Sequence, residues 1–322
     1  MKTKENKSWV FLFGGQGSQK SGMGIDIFEA YPGKGYFHGP FCCREEMVFL
    51  LDPEFKNLNE TLYAQLALTV FGLTVLDLLK EAGIRPGAAL GLSAGEFPAL
   101  AAASVYSPES VLSIIRKRAR LMSDRLKARR DEGHEDGMLA VLGLEEEQVK
   151  ELLSPFPGLV ISNINAKTQI TVSGAREELF LLEEAALEAG ARKAVLLDVE
   201  GAFHSPVFAP DVPALRDILL SHEAGKSKAD LPLNILGRPA QEEGADVGEL
   251  YADLLSRQMA GPTRLDDSFR WLLDRGYRNF VEIAPTAVLT PLLRRRDREL
   301  NLHHIGDHES LLAFIRANQA EA

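Results

Sequence analysis

Residues 91–97 read GLSAGEF, which sets Ser93 in a Gly-x-Ser-x-Gly pattern. The pattern fits a nucleophile elbow, where the chain leaves a strand and enters a helix through a strained turn. Glycines flank the serine there because side chains would collide with neighbouring backbone. The same pentapeptide also arises by chance. A serine hydroxyl is a weak nucleophile, so the reading needs a base and an oxyanion stabiliser elsewhere in the chain. Of the histidines, His38, His134, His222, His303, His304 and His308 lie in polar, poorly patterned stretches and read as solvated surface. His204 differs. It sits in GAFHSP, after an apolar strand and before a proline that enforces an extended or turning chain. Such a place can hold an imidazole rigidly at a domain edge, although position alone also allows a purely structural role. A glycine-rich loop, GGQGSQKSG (14–22), follows the first strand. It matches neither G-x-x-x-x-G-K-[ST] nor G-x-G-x-x-G, which argues against a nucleotide phosphate loop. Its glycines suit a close backbone approach to the Ser93 turn, which would bring Gln16 to the site.

The elements that must position these groups alternate between strand and helix, which favours an α/β fold. WVFLFGG reads as a buried first strand, 60–82 as a long helix, and GIRPGAAL as a short strand leading into the Ser93 turn. SPESVLSIIRKRARLMSDRLKARR reads as an amphipathic helix with Ser107 as N-cap and Pro108 at its first position. After the polar break RRDEGHEDG (129–137) the texture changes to β-α-β-β-α-β, the ferredoxin-like order. The chain then returns to helix and a last strand, NFVEIAP (279–285). The expected architecture is a larger domain with a central, mostly parallel sheet (1–131 and 202–322) carrying a small α+β subdomain (132–201).

The 322 residues carry a net charge of −10, which disfavours a general nucleic-acid-binding surface. Adjacent Cys42 and Cys43 are the two cysteines. They are poorly placed for an ordinary structural disulfide and suit a reducing cytoplasm. The apolar stretch at 66–79 is too short for a membrane span and contains Asp77, so it reads as a buried helix. No signal-peptide pattern, repeat or metal-ligand cluster stands out.

Six motifs occur in order: GQGSQ, GLSAGEF, an arginine in RKRARLM, AFHSP, SRQMAGP and VEIAPTAVLT. Together they resemble the malonyl-CoA:acyl-carrier-protein transacylases and the related acyltransferases of polyketide synthesis, over nearly the whole chain. The resemblance implies an α/β-hydrolase-like catalytic domain and a ping-pong transfer of malonyl from malonyl-CoA to the phosphopantetheine thiol of an acyl carrier protein. It implies Ser93 as nucleophile, His204 as base and Gln258 as the residue whose backbone carbonyl orients the imidazole. The backbone N–H groups of Ala94 and Gln16 would hold the oxyanion. Arg118 would grip the malonyl carboxylate, since a planar guanidinium can pair with it through two hydrogen bonds. Gln65, Leu92, Met122 and Phe203 would line the pocket. Phe203, just before the histidine, goes with malonyl rather than methylmalonyl in polyketide acyltransferases. No cofactor is implied beyond the coenzyme A of the substrate and the pantetheine of the partner.

The chain departs from the family pattern at Leu92, where histidine is usual, and at Ala94, where a branched residue is usual. Ala284 and Thr286 replace common glycines, Pro98 falls early in the helix after the elbow, where it is expected to remove a hydrogen bond or bend the chain, and 31–47 matches poorly. Leucine at position 92 keeps open a discrete acyltransferase serving a polyketide synthase in trans. Two readings of other classes are a serine acyl hydrolase and an inactive carrier-binding scaffold. The usual α/β-hydrolase places an acid between serine and histidine, and the resemblance gives no reason to assign Asp198 or Glu200 that role. Arg294–Arg296 or the exposed cations of the 116–130 helix could meet an acidic carrier protein, although simple solvation explains them equally.

Overall fold

The computed structural model describes residues 6–37, 46 and 52–320. Cys42, Cys43 and His38 lie outside the described residues, as does most of the segment 31–47. In chain order the first part holds β1 (Asn6–Phe13), α1 (Ile25–Ala30), α2 (Thr61–Glu81), β2 (Ala88–Gly91), a 3₁₀ turn (Ser93–Gly95), α3 (Glu96–Ala102) and α4 (Pro108–Asp131). The middle holds β3 (Asp136–Leu142), α5 (Glu146–Leu152), β4 (Val160–Ala166), β5 (Gln169–Ala175), α6 (Arg176–Glu188) and β6 (Lys193–Leu196). The last part holds a 3₁₀ turn (Pro206–Asp211), α7 (Val212–Leu220), β7 (Pro232–Leu233), β8 (Arg238–Pro239) and α8 (Val247–Gln258). It continues with α9 (Leu265–Asp274), β9 (Tyr277–Ile283), α10 (Leu289–Arg296), β10 (Asn301–Ile305) and α11 (His308–Ala320).

The main sheet has the order β10-β9-β1-β2, and every pair in it is parallel. Its strand β1 is apolar at every position of VFLF because both faces are covered. Val10 and Leu12 pack on one side with Leu265, Phe269, Leu272 and Leu293. Phe11 and Phe13 point the other way and join a larger core with Phe71, Val75, Phe97 and Leu112. The helix α2 crosses that second core. It is the one described helix long and apolar enough to cross a membrane, and 83% of its most apolar window is buried inside the fold. Helix α4 starts as its sequence implies: the Ser107 side chain accepts the Ser110 N–H at 3.1 Å, and Pro108 opens the helix.

The middle segment forms its own antiparallel sheet, order β4-β5-β3-β6, with the element order β-α-β-β-α-β. Leu139, Val141, Ile170 and Val172 on that sheet bury against Val149 of α5 and Leu179, Leu182 and Ala186 of α6. Hydrogen bonds tie it to the segments that carry the site, among them one from Asn163 Nδ2 to Thr263 Oγ1 at 2.8 Å. The Ile164 N–H donates to the Thr263 carbonyl at 2.8 Å, and the Thr263 N–H donates to Ser162 at 2.9 Å. The Ser173 hydroxyl donates to the Phe203 carbonyl at 2.7 Å.

Two sequence expectations are corrected. NFVEIAP is not the last strand, because NLHHI forms β10 beside β9 at the sheet edge. Its two histidines masked the strand in the sequence. For the same reason His303 and His304 are not merely solvated: His303 stacks edge-on against Trp9, and the His304 ring is 2.7 Å from the Ala284 carbonyl. Pro98 neither bends nor interrupts its helix. It is the third residue of α3, within the first turn, where a missing N–H leaves no intrahelical acceptor unpaired.

Three close approaches fix where the Ser93 turn sits. A Cβ on Gly95 would lie 2.3 Å from the Phe13 carbonyl oxygen, one on Gly15 2.3 Å from that of Leu92, and one on Gly91 1.9 Å from that of Gly95. The glycine loop after β1 and the turn after β2 therefore touch backbone to backbone. Gly95→Ala is expected to force the turn off β1 and to cost about 1–3 kcal/mol of stability. Denaturant unfolding of the variant checks this, and an unchanged midpoint would contradict the packing.

Candidate active site

Ser93 follows β2 directly and takes a left-handed backbone conformation, φ 53°. His204 does the same, φ 55°. Two non-glycine residues at positive φ cost roughly 1–3 kcal/mol each and persist only where the surroundings over-determine them. Here the two strained residues face each other. The His204 Nε2 is 2.8 Å from Ser93 Oγ, and its Nδ1 is 2.9 Å from the backbone carbonyl of Gln258. A carbonyl oxygen only accepts, so Nδ1 carries the proton and Nε2 is left as an acceptor. The Ser93 hydroxyl therefore donates to Nε2, which is the orientation proton abstraction requires.

The imidazole is buried, and that burial together with the Arg118 charge lowers its pKa to about 4. It is thus a neutral acceptor across the physiological range. Asp198 and Glu200 do not contact it; Glu200 instead accepts the Thr61 N–H at the start of α2.

A cleft of about 460 Å³ opens over Ser93. Gln16, Gln65, Leu92, Ala94, Met122, Phe203 and His204 all line it, together with Asn163, Asn165 and Thr171 from the antiparallel sheet. Among the described residues the N–H groups of Gln16 and Ala94 donate to no other acceptor, so both remain available to an oxyanion. The Gln16 side chain is anchored by the Thr61 hydroxyl, which donates to its Oε1 at 2.7 Å.

Arg118 is fully buried in α4. Its Nη1 donates to Gln65 Oε1, its Nη2 to Gln258 Oε1 at 3.2 Å, and its guanidinium lies 5.4 Å from the centre of the Phe97 ring. Its Nε has no acceptor among the described residues. Desolvation lowers its pKa to about 10, still far above neutrality. Neither Arg118 nor Gln258 lines the cleft itself, but Gln65 does, and a guanidinium with a spare buried donor behind Gln65 is suited to an anionic group at the cleft.

Two residues of the site carried no assignable signal in the sequence. Asn234 donates from Nδ2 to the Gly91 carbonyl at 2.6 Å and accepts the Ser93 N–H at 2.8 Å, so it brackets the turn. Glu96 accepts the Asn234 N–H at 2.6 Å and a Gln258 Nε2 hydrogen at 3.1 Å. Glu96 stood inside the GLSAGEF motif, but nothing adjacent in sequence gave it a partner. Asn234 joins the site across 141 residues of chain.

Residues 47–317 match the acyl transferase domain model. The chain is 32% identical over 320 residues to the malonyl CoA-acyl carrier protein transacylase of Bacillus subtilis, covering 97% of this chain and 98% of that one. The chain belongs to the malonyl-CoA:acyl-carrier-protein transacylase family. A polyketide biosynthesis malonyl CoA-acyl carrier protein transacylase of Bacillus velezensis is 30% identical over 304 residues, covering 90% of this chain and 97% of that one. The crystal structure of MCAT from Streptococcus pneumoniae superposes with a TM-score of 0.83 at 29% identity, covering 96% and 99% of the two chains. The transacylase family is thus matched along nearly the full length, including the middle antiparallel sheet.

His204 is expected to titrate near pH 4 rather than near 6.5. The unfolded chain then binds a proton at His204 that the folded chain refuses, so this group's contribution to stability is lost as pH falls from about 6.5 to 4. Histidine ¹⁵N NMR checks it, and a midpoint above 6 would contradict the buried neutral ring.

Proposed function

We propose that the protein moves malonyl from malonyl-CoA to the phosphopantetheine thiol of an acyl carrier protein, in fatty-acid synthesis, through a malonyl-serine ester. The observation that carries this reading is the line from Ser93 Oγ through the His204 ring to the Gln258 carbonyl, beside a buried arginine with a spare donor. Ser93 Oγ attacks the thioester carbonyl while His204 Nε2 takes its proton. The oxyanion is held by the N–H groups of Gln16 and Ala94. The carbon–sulfur bond breaks, and the coenzyme A thiol leaves with the proton from His204. In the second half the carrier thiol gives its proton to His204 and attacks the ester carbonyl; the carbon–oxygen bond to Ser93 breaks as His204 returns that proton to Ser93 Oγ.

Arg118 pairs with the free carboxylate of the malonyl group in this reading. An acetyl group would leave that buried cation unpaired, which is the basis of selection. Phe203 and Met122 crowd the reacting carbon and favour malonyl over methylmalonyl, a difference of about 1–3 kcal/mol per methyl. The chemistry asks for no resident cofactor. The antiparallel sheet order and element order support a ferredoxin-like subdomain over 132–201, inserted in an α/β-hydrolase-like catalytic domain made of 1–131 and 202–322. The bonds from Ile164, Thr263 and Ser173 support its role as one wall of the cleft.

A second reading keeps the chemistry and changes the pathway: a discrete acyltransferase loading a polyketide synthase in trans. Leu92 at the cleft, where the family usually has histidine, is the feature that favours it.

Brief incubation with malonyl-CoA is expected to add one malonyl group to the intact mass, and Ser93→Ala to abolish the gain. Released free malonate with no gain would point to a hydrolase, and neither gain nor consumption to an inactive scaffold. Arg118→Ala is expected to lower kcat/KM for malonyl-CoA by about 10²-fold or more while acetyl-CoA is affected far less. Equal losses on both donors would remove Arg118 from substrate selection.

A further inference from the structure

Glu96 is a carboxylate with almost no exposure at the head of α3, three residues after Ser93. It touches no cation directly. Among the described residues no carboxylate forms an ion pair with Arg118, and Glu96 is the anion that acts on Arg118 through space. Between the two stands one amide. Gln258 Nε2 donates to Glu96 Oε2 at 3.1 Å, and Gln258 Oε1 accepts from Arg118 Nη2 at 3.2 Å. A carboxylate only accepts and a guanidinium only donates, so a single orientation of the Gln258 amide satisfies both. Glu96 thereby fixes the residue that holds both the His204 ring and Arg118, and balances the arginine's charge at one remove.

This arrangement leaves Arg118 Nε without an acceptor among the described residues. An incoming acyl carboxylate would then share one guanidinium with Glu96. Two anions around one buried cation repel, so the second binds more weakly than it would alone. We propose that Glu96 is a positioning residue that sets how strongly Arg118 holds the acyl carboxylate, through the Gln258 relay and by competing for the same cation. The proposal rests on the reading of Arg118 as the carboxylate-binding residue.

Protonating Glu96 would relieve the competition. Its burial raises its pKa to about 7, opposed by the Asn234 N–H, Arg118 and Gln258. The charged and titratable groups facing it are Arg118 from α4 and, beyond Gln258, His204, which stays neutral above about pH 4. Malonyl binding should therefore draw a proton onto Glu96. The preference for malonyl over acetyl should strengthen as pH falls from 8.5 to 6.

The test is titration of malonyl-CoA and acetyl-CoA into Ser93→Ala protein, which cannot turn over, from pH 6 to 8.5. The acetyl thioester cancels the coenzyme A phosphates. The malonyl-to-acetyl affinity ratio is expected to rise roughly five- to tenfold toward pH 6. In Ser93→Ala/Glu96→Gln it is expected to be high and independent of pH. A flat ratio in the Ser93→Ala protein overturns the proposal even if the double variant fails to fold. So does a double variant that weakens both donors equally, since that is what a merely structural role predicts. The Ser93→Ala/Arg118→Ala protein separates the layers. If it loses the malonyl preference while the ratio in Ser93→Ala stays flat, Arg118 keeps its role and Glu96 loses its own. If Ser93→Ala shows no malonyl preference at any pH, both fall together.

Discussion

The buried Arg118 guanidinium stays charged while one of its donors has no acceptor among the described residues. Most of the site follows from that constraint. A carboxylate in direct contact would neutralise Arg118 but also fill the position an anionic acyl group needs. Amide oxygens from Gln65 and Gln258 satisfy the two Nη groups instead, and the Phe97 ring covers one side. The compensating charge, Glu96, stands one amide away. Gln258 is therefore central: its backbone orients the base while its side chain joins anion to cation. One residue at the last position of α8 thus bonds to both the His204 ring and the Arg118 guanidinium.

The Ser93 turn is held by backbone rather than by side chains. Gly91, Gly95 and Gly15 let three chain segments approach to distances that a Cβ would forbid. That contact brings Gln16 and Ala94 to the same cleft. Asn234 completes the frame by bonding both sides of the turn. The positive φ of Ser93 and His204 shows the same logic from the other direction, because unfavourable conformations are held at the two residues whose atoms must meet. The antiparallel sheet adds the opposite wall, tied to the segments just before His204 and just after Gln258. The two halves of the cleft are therefore fixed through the chain on either side of the reacting groups.

The amino-acid sequence determined what is local. A continuous apolar run marked β1, a serine followed by proline marked the start of α4, and the polar break before 136 marked the change to an antiparallel sheet. The Gly-x-Ser-x-Gly pattern marked the turn, and six ordered motifs identified the family with its serine, histidine, arginine and glutamine. The edge strand β10 escaped because its two histidines hide an apolar pattern whose inward side is shallow. Only the tertiary structure decided which buried polar groups meet. Asn234 comes to Ser93 from 141 residues away, and Glu96 meets Arg118 through a glutamine 162 residues further on. Such contacts leave no periodicity, since a hydrogen bond between distant segments depends on the packing of the elements that carry them. The sequence named the candidate groups; the packing of the elements that carry them decided what each of them touches.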